Sequence, residues 1–491
     1  MKKYWFNNIS KPFILVLIFL FSLSIINTVN AQTKPPEARE KDPLVLKNLE
    51  EWQDLKLGFM MHWGPYSQWG VVESWSLCSE DEPWCRRNMD NYVEYVKAYE
   101  KLKDTFNPVK FNPESWAKLA KEAGMKYLVF TTKHHDGFCM FDTKLTDYRI
   151  TDARCPFSTN PKANITKELF ETFRKEGFKV GAYFSKPDWH CEYYWWPYFS
   201  TPDRNVNYDP AKYPERWQKF KDYTYGQIEE LMSGYGKVDI LWLDGGWVRP
   251  RSTLTRDIMN WAGKKTYNQD IEMPKIANMA REHQPGLIIV DRTVTGKYEN
   301  YRTPEQHVPH QALDYPWETC MTMGGSWSYN PNDQYKSTHK IIHLLVDIVA
   351  KGGNYLLNVG PDPNGELPSG ATQRMKEIGQ WMKINGKAIY KTRPIPPYKE
   401  GKTCLTSLKD GTVFAIYLAD EDEHNPPGKI LLETIQPDDG TEVFMLGYNK
   451  PLKWEKVGKG VLIDVPEAMV QNPPCQHAWA FKISATESTR K

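Results

Sequence analysis

Strand-like and helix-like runs alternate along residues 55–359, and this alternation constrains the fold more than any other feature of the sequence. Apolar runs that predict strands occupy 55–61, 127–132, 178–185, 238–244, 287–290 and 354–359. A segment with helical spacing precedes each of the last five, at 114–123, 167–176, 216–233, 274–283 and 338–351. Repeated alternation of this length favours parallel strands joined by crossover helices. We therefore expect an α/β fold with a (β/α)8-like barrel.

A doubly wound open sheet is the alternative architecture, but no glycine-rich phosphate-binding fingerprint follows any of the strands. The length of 491 residues predicts a second domain beside the barrel. After the proline-rich stretch 393–397, short strand-like runs follow at 412–417, 429–432, 442–445 and 460–464. These runs predict a C-terminal all-β sandwich. We place the barrel at 43–395 and the sandwich at 396–491.

The first 31 residues resemble a secretory signal peptide. Lys2 and Lys3 supply positive charge, residues 13–26 are almost wholly apolar, and residues 29–31 end in the small residue Ala31. The apolar run is shorter than the ~20 residues that span a bilayer, so we expect no membrane span in the mature chain. A polar linker at 32–42 would then precede the barrel. The sequence predicts export to the periplasm or beyond the cell.

The charge and residue composition indicate which kinds of partner the protein is suited to bind. The formal net charge is only +2, which implies neither nucleic acid nor an anionic membrane surface as a partner. Nineteen tryptophans suit stacking on carbohydrate rings, although they also fill cores. The eight cysteines form no CxxC pair and no HExxH motif is present, so we predict neither a metal site nor a cofactor.

The run VDILWLDGG at 238–246 ends an apolar strand in one carboxylate, Asp244, followed by two glycines. Barrels present reactive groups at the carboxyl ends of their strands, and glycine lets a ligand approach the backbone closely. Other predicted strands end in or carry polar or aromatic residues, namely His62, Trp63, His134, His135, Tyr183, Arg292 and Asn358. Hydrogen-bonding side chains beside flat aromatic rings suit a ligand with hydroxyls and an apolar face, such as a sugar.

Cleavage of a glycosidic bond typically requires two carboxylates, one as nucleophile or base and one as acid. Asp244 is the natural nucleophile, because a rigid strand end fixes its position. A loop further along the chain should supply the second group, and Glu305 and Glu318 are both candidates. Spacing alone does not choose between them.

Six motifs together resemble the α-L-fucosidases of glycoside hydrolase family 29. They are HWG at 62–64, KHHDGF at 133–138, LWLDGG at 241–246, WETC at 317–320, SWSY at 326–329 and GGNYLLNVGP at 352–361. The resemblance covers essentially the whole predicted mature chain. It implies an exo-acting, retaining hydrolase whose substrate is a glycan that carries terminal α-linked L-fucose. The resemblance does not predict the oligomeric state.

Carried onto this sequence, the family's nucleophile falls on Asp244 and its acid/base on Glu305, which leaves Glu318 as a near-site structural or binding carboxylate. The family's fucose-binding positions fall on His62, His134, His135, Tyr183, Trp242 and Arg292, with Trp75 and Trp327 as walls. Many relatives carry a glutamate directly before the tryptophan that corresponds to Trp75, where this chain has Ser74. The resemblance therefore implies that this glutamate contact is absent or comes from Glu73.

Two alternative functions fit the same residues. A related retaining glycosidase, such as an α-L-galactosidase, would act on a sugar that differs by one hydroxyl at C6. A non-catalytic glycan-binding protein could also use this fold, although Asp244 and two candidate acids argue against it.

Overall fold

The computed structural model describes residues 40–484 apart from 79–84, 86, 88, 200–202 and 263–266. The predicted signal peptide, most of the 32–42 linker and the end of the sandwich at 485–491 lie outside the described residues. The helices are α1 Pro43–Gln53, α2 Tyr92–Glu100, α3 Pro113–Glu122, α4 Ile165–Lys175, α5 Pro214–Gly234, α6 Arg256–Trp261, α7 Met273–His283, α8 Thr338–Ala350, α9 Ser369–Asn385 and α10 Glu467–Gln471. None of the helices in the described part of the chain has the length and apolarity that a bilayer span requires.

The first seven strands form one parallel sheet. They are β1 Leu57–Met61, β2 Tyr127–Lys133, β3 Lys179–Ser185, β4 Ile240–Asp244, β5 Ile288–Asp291, β6 Glu318–Thr322 and β7 Asn354–Val359. Their order in the sheet is β5-β4-β3-β2-β1-β7-β6, and all neighbours run parallel. Nearly all of their residues are buried, because parallel strands are covered on both faces. The predicted strand–helix alternation is confirmed.

The gap between β5 and β6 is filled irregularly by residues 299–305. Isolated bridges join Val290 to Glu299, Arg302 to Trp317, and Glu305 to Cys320. A regular eighth strand does not form in this segment, and Pro304, which lacks a backbone N–H, gives one reason. Over the described residues the barrel therefore has seven regular strands, and Glu305 lies at the irregular position beside β6.

Helix α4 illustrates why these segments fold as they do. The side chain of Asn164 accepts a hydrogen bond from the amide of Lys167 and so caps the first turn. Apolar residues at helical spacing, among them Leu169 and Phe173, are fully buried against β2 and β3. Gly177, with φ of +87°, lies just after the helix, in a conformation that suits glycine.

The C-terminal part forms two antiparallel sheets. Their strands are β8 Arg393–Glu400, β9 Thr403–Ser407, β10 Val413–Leu418, β11 Lys429–Leu432, β12 Val443–Met445, β13 Trp454–Val457, β14 Gly460–Asp464 and β15 Ala478–Ile483. One sheet has the order β12-β15-β10-β9-β8 and the other β11-β14-β13. Apolar side chains from both sheets, such as Ile430 and Trp479, share one core. The predicted sandwich is confirmed.

The proline-rich stretch 393–397, which the sequence predicts to be a link, is instead part of strand β8. This strand lies at the edge of its sheet, and its register with β9 shifts between Pro394 and Lys399. Prolines are tolerated there because an edge strand leaves some backbone amides without a strand partner.

Candidate active site

Asp244 is the last residue of β4, and three donors fix its carboxylate. The Tyr183 hydroxyl donates to Oδ2 at 2.7 Å, the Gly245 amide donates to Oδ1 at 2.7 Å, and Arg292 Nη1 donates to Oδ1 at 3.2 Å. Tyr183 lies on β3 and Arg292 directly follows β5, so the two strands that flank β4 both supply a partner. The order of the strands therefore brings Tyr183 and Arg292 to either side of Asp244.

The environment keeps Asp244 ionised. Burial alone would raise the pKa of this carboxyl, but the Arg292 guanidinium and the hydrogen bonds from Tyr183 and Gly245 outweigh burial and hold the pKa well below its usual value. The carboxylate is thus charged at any neutral or mildly acidic pH. An ionised carboxylate with fixed geometry is suited to nucleophilic attack.

Three buried histidines surround the same space, and each is oriented through Nδ1. His62 Nδ1 lies 2.8 Å from Asn358 Oδ1. His134 Nδ1 lies 2.6 Å from Ser74 Oγ, and His135 Nδ1 lies 2.7 Å from the hydroxyl of Ser185. Because Nδ1 is engaged in every case, Nε2 is the ring atom that remains for a ligand.

These histidines are neutral at physiological pH. Burial lowers the pKa of His62 to about 4 and that of His135 to about 3, and it lowers the pKa of His134 well below its usual value. A neutral imidazole can exchange hydrogen bonds with a sugar hydroxyl without placing a second full charge beside Arg292.

A cavity of about 540 Å³ joins the predicted site residues, a volume within the usual range for small-molecule sites. Every residue to which the family resemblance assigns a catalytic or binding role, except Glu318, lines it: His62, Trp75, His134, His135, Tyr183, Trp242, Asp244, Arg292, Glu305 and Trp327. The strand-end candidates Trp63 and Asn358 do not line it. The sequence analysis did not single out other lining residues, including Arg204, Trp247 and Trp261. These three lie on long connections after β3 and β4, where no periodic pattern marks a site.

Aromatic rings form the apolar surfaces of the cavity. Trp327 lies 5.0 Å from the His62 ring, and Trp75 meets His135 edge-on at 5.3 Å. Trp242 stacks on Tyr183 at 5.2 Å between ring centroids. Flat rings beside imidazoles match the alternating apolar and hydroxyl-bearing faces of a sugar.

Glu305 shares Arg292 with Asp244. Arg292 Nη2 donates to Glu305 Oε2 while Nη1 of the same guanidinium donates to Asp244. The Glu305 side chain is 40% exposed, whereas that of Asp244 is 15% exposed. One carboxylate therefore lies deep in the cavity and the other lies toward solvent, with Arg292 between them.

Glu318 lies outside the cavity, and the structure gives no support for contact with a ligand. It is the first residue of β6, a strand absent from the sequence prediction, so it lies at the opposite end of that strand from the face carrying Asp244. Its side chain is enclosed, with Tyr127 and Trp242 donating to its two carboxyl oxygens. Burial raises the pKa of Glu318 to about 7. Glu318 is a structural carboxyl group beneath Trp242.

Substituting Glu318→Gln should make stability less sensitive to rising pH. The pKa of Glu318 rises from 4.5 to about 7 on folding, so its contribution is fully present below pH 4.5 and is lost as pH rises through 7. Glutamine does not titrate. The difference in unfolding free energy between variant and wild type should therefore shift toward the variant by about 1–3 kcal/mol from pH 5 to pH 8. Denaturant titrations at both pH values measure this shift, and a pH-independent difference would contradict it.

Glu73, the residue before Ser74, lines the cavity, so Glu73 is placed where it could supply the glutamate contact that Ser74 cannot. The Glu73 side chain is buried, and its Oε1 accepts a hydrogen bond from the Ser328 amide at 2.6 Å. Burial raises the pKa of Glu73 to about 8, so the group is largely protonated at neutral pH. Ser74 instead supports the histidines, since its hydroxyl bonds His134 and accepts from the Asp136 amide at 2.8 Å.

Among the described residues, one group has the spacing of metal ligands. His134, His135 and Asp244 offer ligand atoms that all lie within 4.8 Å of one another. The Arg292 guanidinium, 3.2 Å from the same carboxylate, disfavours a second cation there because like charges repel strongly at this distance. The group fits recognition of a neutral ligand better than binding of a metal ion.

Comparison with known proteins agrees with this geometry. Residues 24–387 match the family model described as alpha-L-fucosidase, and residues 403–484 match the alpha-L-fucosidase C-terminal domain. The tissue alpha-L-fucosidase of Rattus norvegicus is 29% identical over 89% of this chain and 90% of its own length.

Two solved structures share the fold over nearly the whole chain. Alpha-L-fucosidase isoenzyme 1 from Paenibacillus thiaminolyticus is 28% identical, covers 90% of this chain and 100% of its own, and has a TM-score of 0.71. The Thermotoga maritima alpha-fucosidase in complex with a mechanism-based inhibitor is 26% identical, covers 88% and 96%, and has a TM-score of 0.68. The resemblance drawn from the sequence motifs is confirmed, and this chain belongs to the α-L-fucosidase family of glycoside hydrolases.

Proposed function

We propose that the protein releases terminal α-linked L-fucose from glycans by a retaining, double-displacement reaction in which Asp244 is the nucleophile and Glu305 the acid/base. The observation that carries this proposal is an ionised carboxylate, Asp244, fixed deep in a cavity and linked through Arg292 to a second, more exposed carboxylate. Two carboxylates in these roles are what a retaining glycosidase requires.

In the first step, Asp244 attacks C1 of fucose and the bond from C1 to the leaving oxygen breaks. Glu305, in its protonated form, gives its proton to that oxygen, so the leaving sugar departs neutral and a fucosyl ester forms on Asp244. In the second step, Glu305 removes a proton from water, whose oxygen attacks C1 while the ester bond from C1 to Asp244 breaks. Fucose is released, Asp244 is again a carboxylate and Glu305 is again protonated. Two inversions at C1 leave the configuration retained.

The neighbouring side chains bind the sugar and stabilise the charge of the two carboxylates. The neutral rings of His62, His134 and His135 bond the sugar hydroxyls through Nε2, and tryptophan provides a surface for the C6 methyl group. Arg292 stabilises the carboxylate of Asp244 before attack and after release. Glu305 exchanges its bond with Arg292 for one with the leaving oxygen once substrate is bound.

The depth of the cavity supports exo action. Trp242 and Met60, both about 1% exposed, line its inner part. Buried side chains thus close the inner end of the cavity in the described part of the chain, which favours a terminal fucose over one inside a chain of sugars. The substrate is a glycan that presents a single α-linked fucose at its end.

The stereochemistry of the first product tests the proposal. Proton NMR of a reaction with 4-nitrophenyl α-L-fucoside should show α-L-fucose first, followed by mutarotation. The matching α-L-galactoside, whose extra C6 hydroxyl would meet an apolar wall, should react on the order of 10- to 100-fold more slowly. β-L-Fucose as the first product would contradict double displacement, and faster release of galactose would favour the alternative sugar. Absence of release from both would favour a glycan-binding protein.

A further inference from the structure

Trp261 is a large apolar side chain left partly in solvent at the mouth of the active-site cavity. It is 39% exposed and nevertheless lines the cavity together with Asp244 and Glu305. It ends helix α6, which lies in the connection that leaves β4 directly after the nucleophile. What sets Trp261 apart from other exposed apolar side chains is that it lines the cavity, where its flat ring offers an apolar face to a ligand.

The backbone is anchored on both sides of Trp261. The next residue, Ala262, is buried, and its carbonyl accepts a hydrogen bond from Asn205 Nδ2 at 2.7 Å. One turn earlier, Ile258 packs against the barrel core, and its amide donates to the Thr255 side chain that caps the helix. Trp261 is thus held at the mouth by neighbours that are themselves anchored.

Exposure ranks the lining residues by depth. His134 and Trp242 are 5% and 1% exposed and mark the inner part, whereas Glu305 and Trp261 are both exposed and mark the mouth. When C1 of fucose lies at Asp244 and Glu305 meets the leaving oxygen, the sugar attached to that oxygen must occupy the mouth. The space beside Trp261 is therefore the space of the leaving group.

We propose that Trp261 forms a leaving-group subsite, in which its indole stacks on the C–H face of the pyranose that carries the fucose. This inference rests on the proposed function and names the substrate class within it: glycans whose fucose is attached to another pyranose ring, in preference to fucosides with small or acyclic leaving groups. Stacking between a sugar face and an aromatic ring needs no fixed hydrogen-bond pattern, so the subsite selects for ring shape more than for individual hydroxyls.

Two substrates that differ only in the leaving group test the subsite. α-L-Fucosyl fluoride has no ring beyond the fucose, whereas a fucosylated disaccharide places a pyranose at the mouth. Trp261→Ala should lower kcat/KM for the disaccharide about 3- to 10-fold and leave kcat/KM for the fluoride within about twofold of wild type. Trp261→Phe should recover most of the loss, because phenylalanine keeps a flat ring.

Met259→Ala is the matched control, because Met259 is on the same helix and 44% exposed but does not line the cavity. It should behave as wild type on both substrates. An equal loss on both substrates in Trp261→Ala, or no loss on the disaccharide, would overturn the subsite while leaving the proposed function intact. A wild-type protein that releases fucose from neither substrate would instead refute the proposed function, and the subsite would fall with it.

Discussion

Substitution of Asp244 by asparagine should lower kcat for an α-L-fucoside by a factor on the order of 10³ to 10⁶. The amide has nearly the shape of the carboxylate but cannot form the ester with C1. The donors that hold Asp244, Tyr183 and Arg292, would remain in place, so the loss would report chemistry rather than misfolding. Steady-state kinetics with unfolding midpoints measured in parallel would test this expectation.

Asp239→Asn provides a matched control. Asp239 immediately precedes β4, and its Oδ2 accepts a hydrogen bond from the Val180 amide at 2.9 Å, far from the mouth of the cavity. The same change from acid to amide should leave turnover within a few fold of wild type there. Near-normal turnover in a well-folded Asp244→Asn variant would refute the assignment of the nucleophile.

Azide adds a stereochemical check on the same residue. In Asp244→Ala, the small space left by the carboxylate allows azide to attack C1 directly from the face that the carboxylate occupied. A single displacement inverts the configuration, so we expect β-L-fucosyl azide from an activated α-fucoside. Formation of the α-azide in this variant would mean that another group still forms the covalent intermediate.

The sequence predicts the residues around Asp244 well because their places follow from the order of strands in the parallel sheet. Strands β3, β4 and β5 are marked by apolar runs and are neighbours in the sheet, so Tyr183 and Arg292 necessarily flank Asp244. The histidines follow from the same rule, since His62 and His134 directly follow β1 and β2. Periodicity along the chain is sufficient to locate residues at strand ends.

Strand β6 shows where sequence reasoning fails. Its residues ETCMT carry no apolar run, and the strand forms through pairing with β7, in which Glu318 opposes Asn354. If β6 is not predicted, the sequence does not show that Glu318 is buried at the start of a strand. Glu318 then looks like an acid on a loop, as Glu305 does. Tertiary pairing overrides the local signal.

The family resemblance offers Glu73 as a possible ligand contact, but no local pattern in the sequence shows where Glu73 or Trp261 lies. Glu73 adopts φ of +38°, and its carboxylate is held by the backbone of Ser328, 255 residues away. Trp261 is on a six-residue helix whose anchor, Asn205, belongs to another connection. Contacts between distant loops set both positions, and no periodic pattern encodes them.

Substitution of Glu305 by alanine should reduce kcat/KM on the order of 10²- to 10⁴-fold for a fucosylated disaccharide, whose leaving oxygen needs a proton. The loss should be much smaller for α-L-fucosyl fluoride, because fluoride departs without protonation. Added azide should restore turnover of the fluoride, since azide attacks the ester on Asp244 without a base. Two displacements then occur, so the product should be α-L-fucosyl azide, opposite to that expected from Asp244→Ala.

Glu73 and Glu318 are the other carboxyl groups that could act as the acid/base, and their protonation alone would favour either of them over Glu305. Burial raises the pKa of Glu73 to about 8 and that of Glu318 to about 7, so both are better protonated than an exposed carboxyl group. Position favours Glu305, because Glu318 does not line the cavity and Glu73 is buried, with Oε1 bonded to Ser328. Azide should therefore rescue neither Glu73→Ala nor Glu318→Ala. Rescue of Glu73→Ala to the α-azide, with none in Glu305→Ala, would transfer the acid/base role to Glu73.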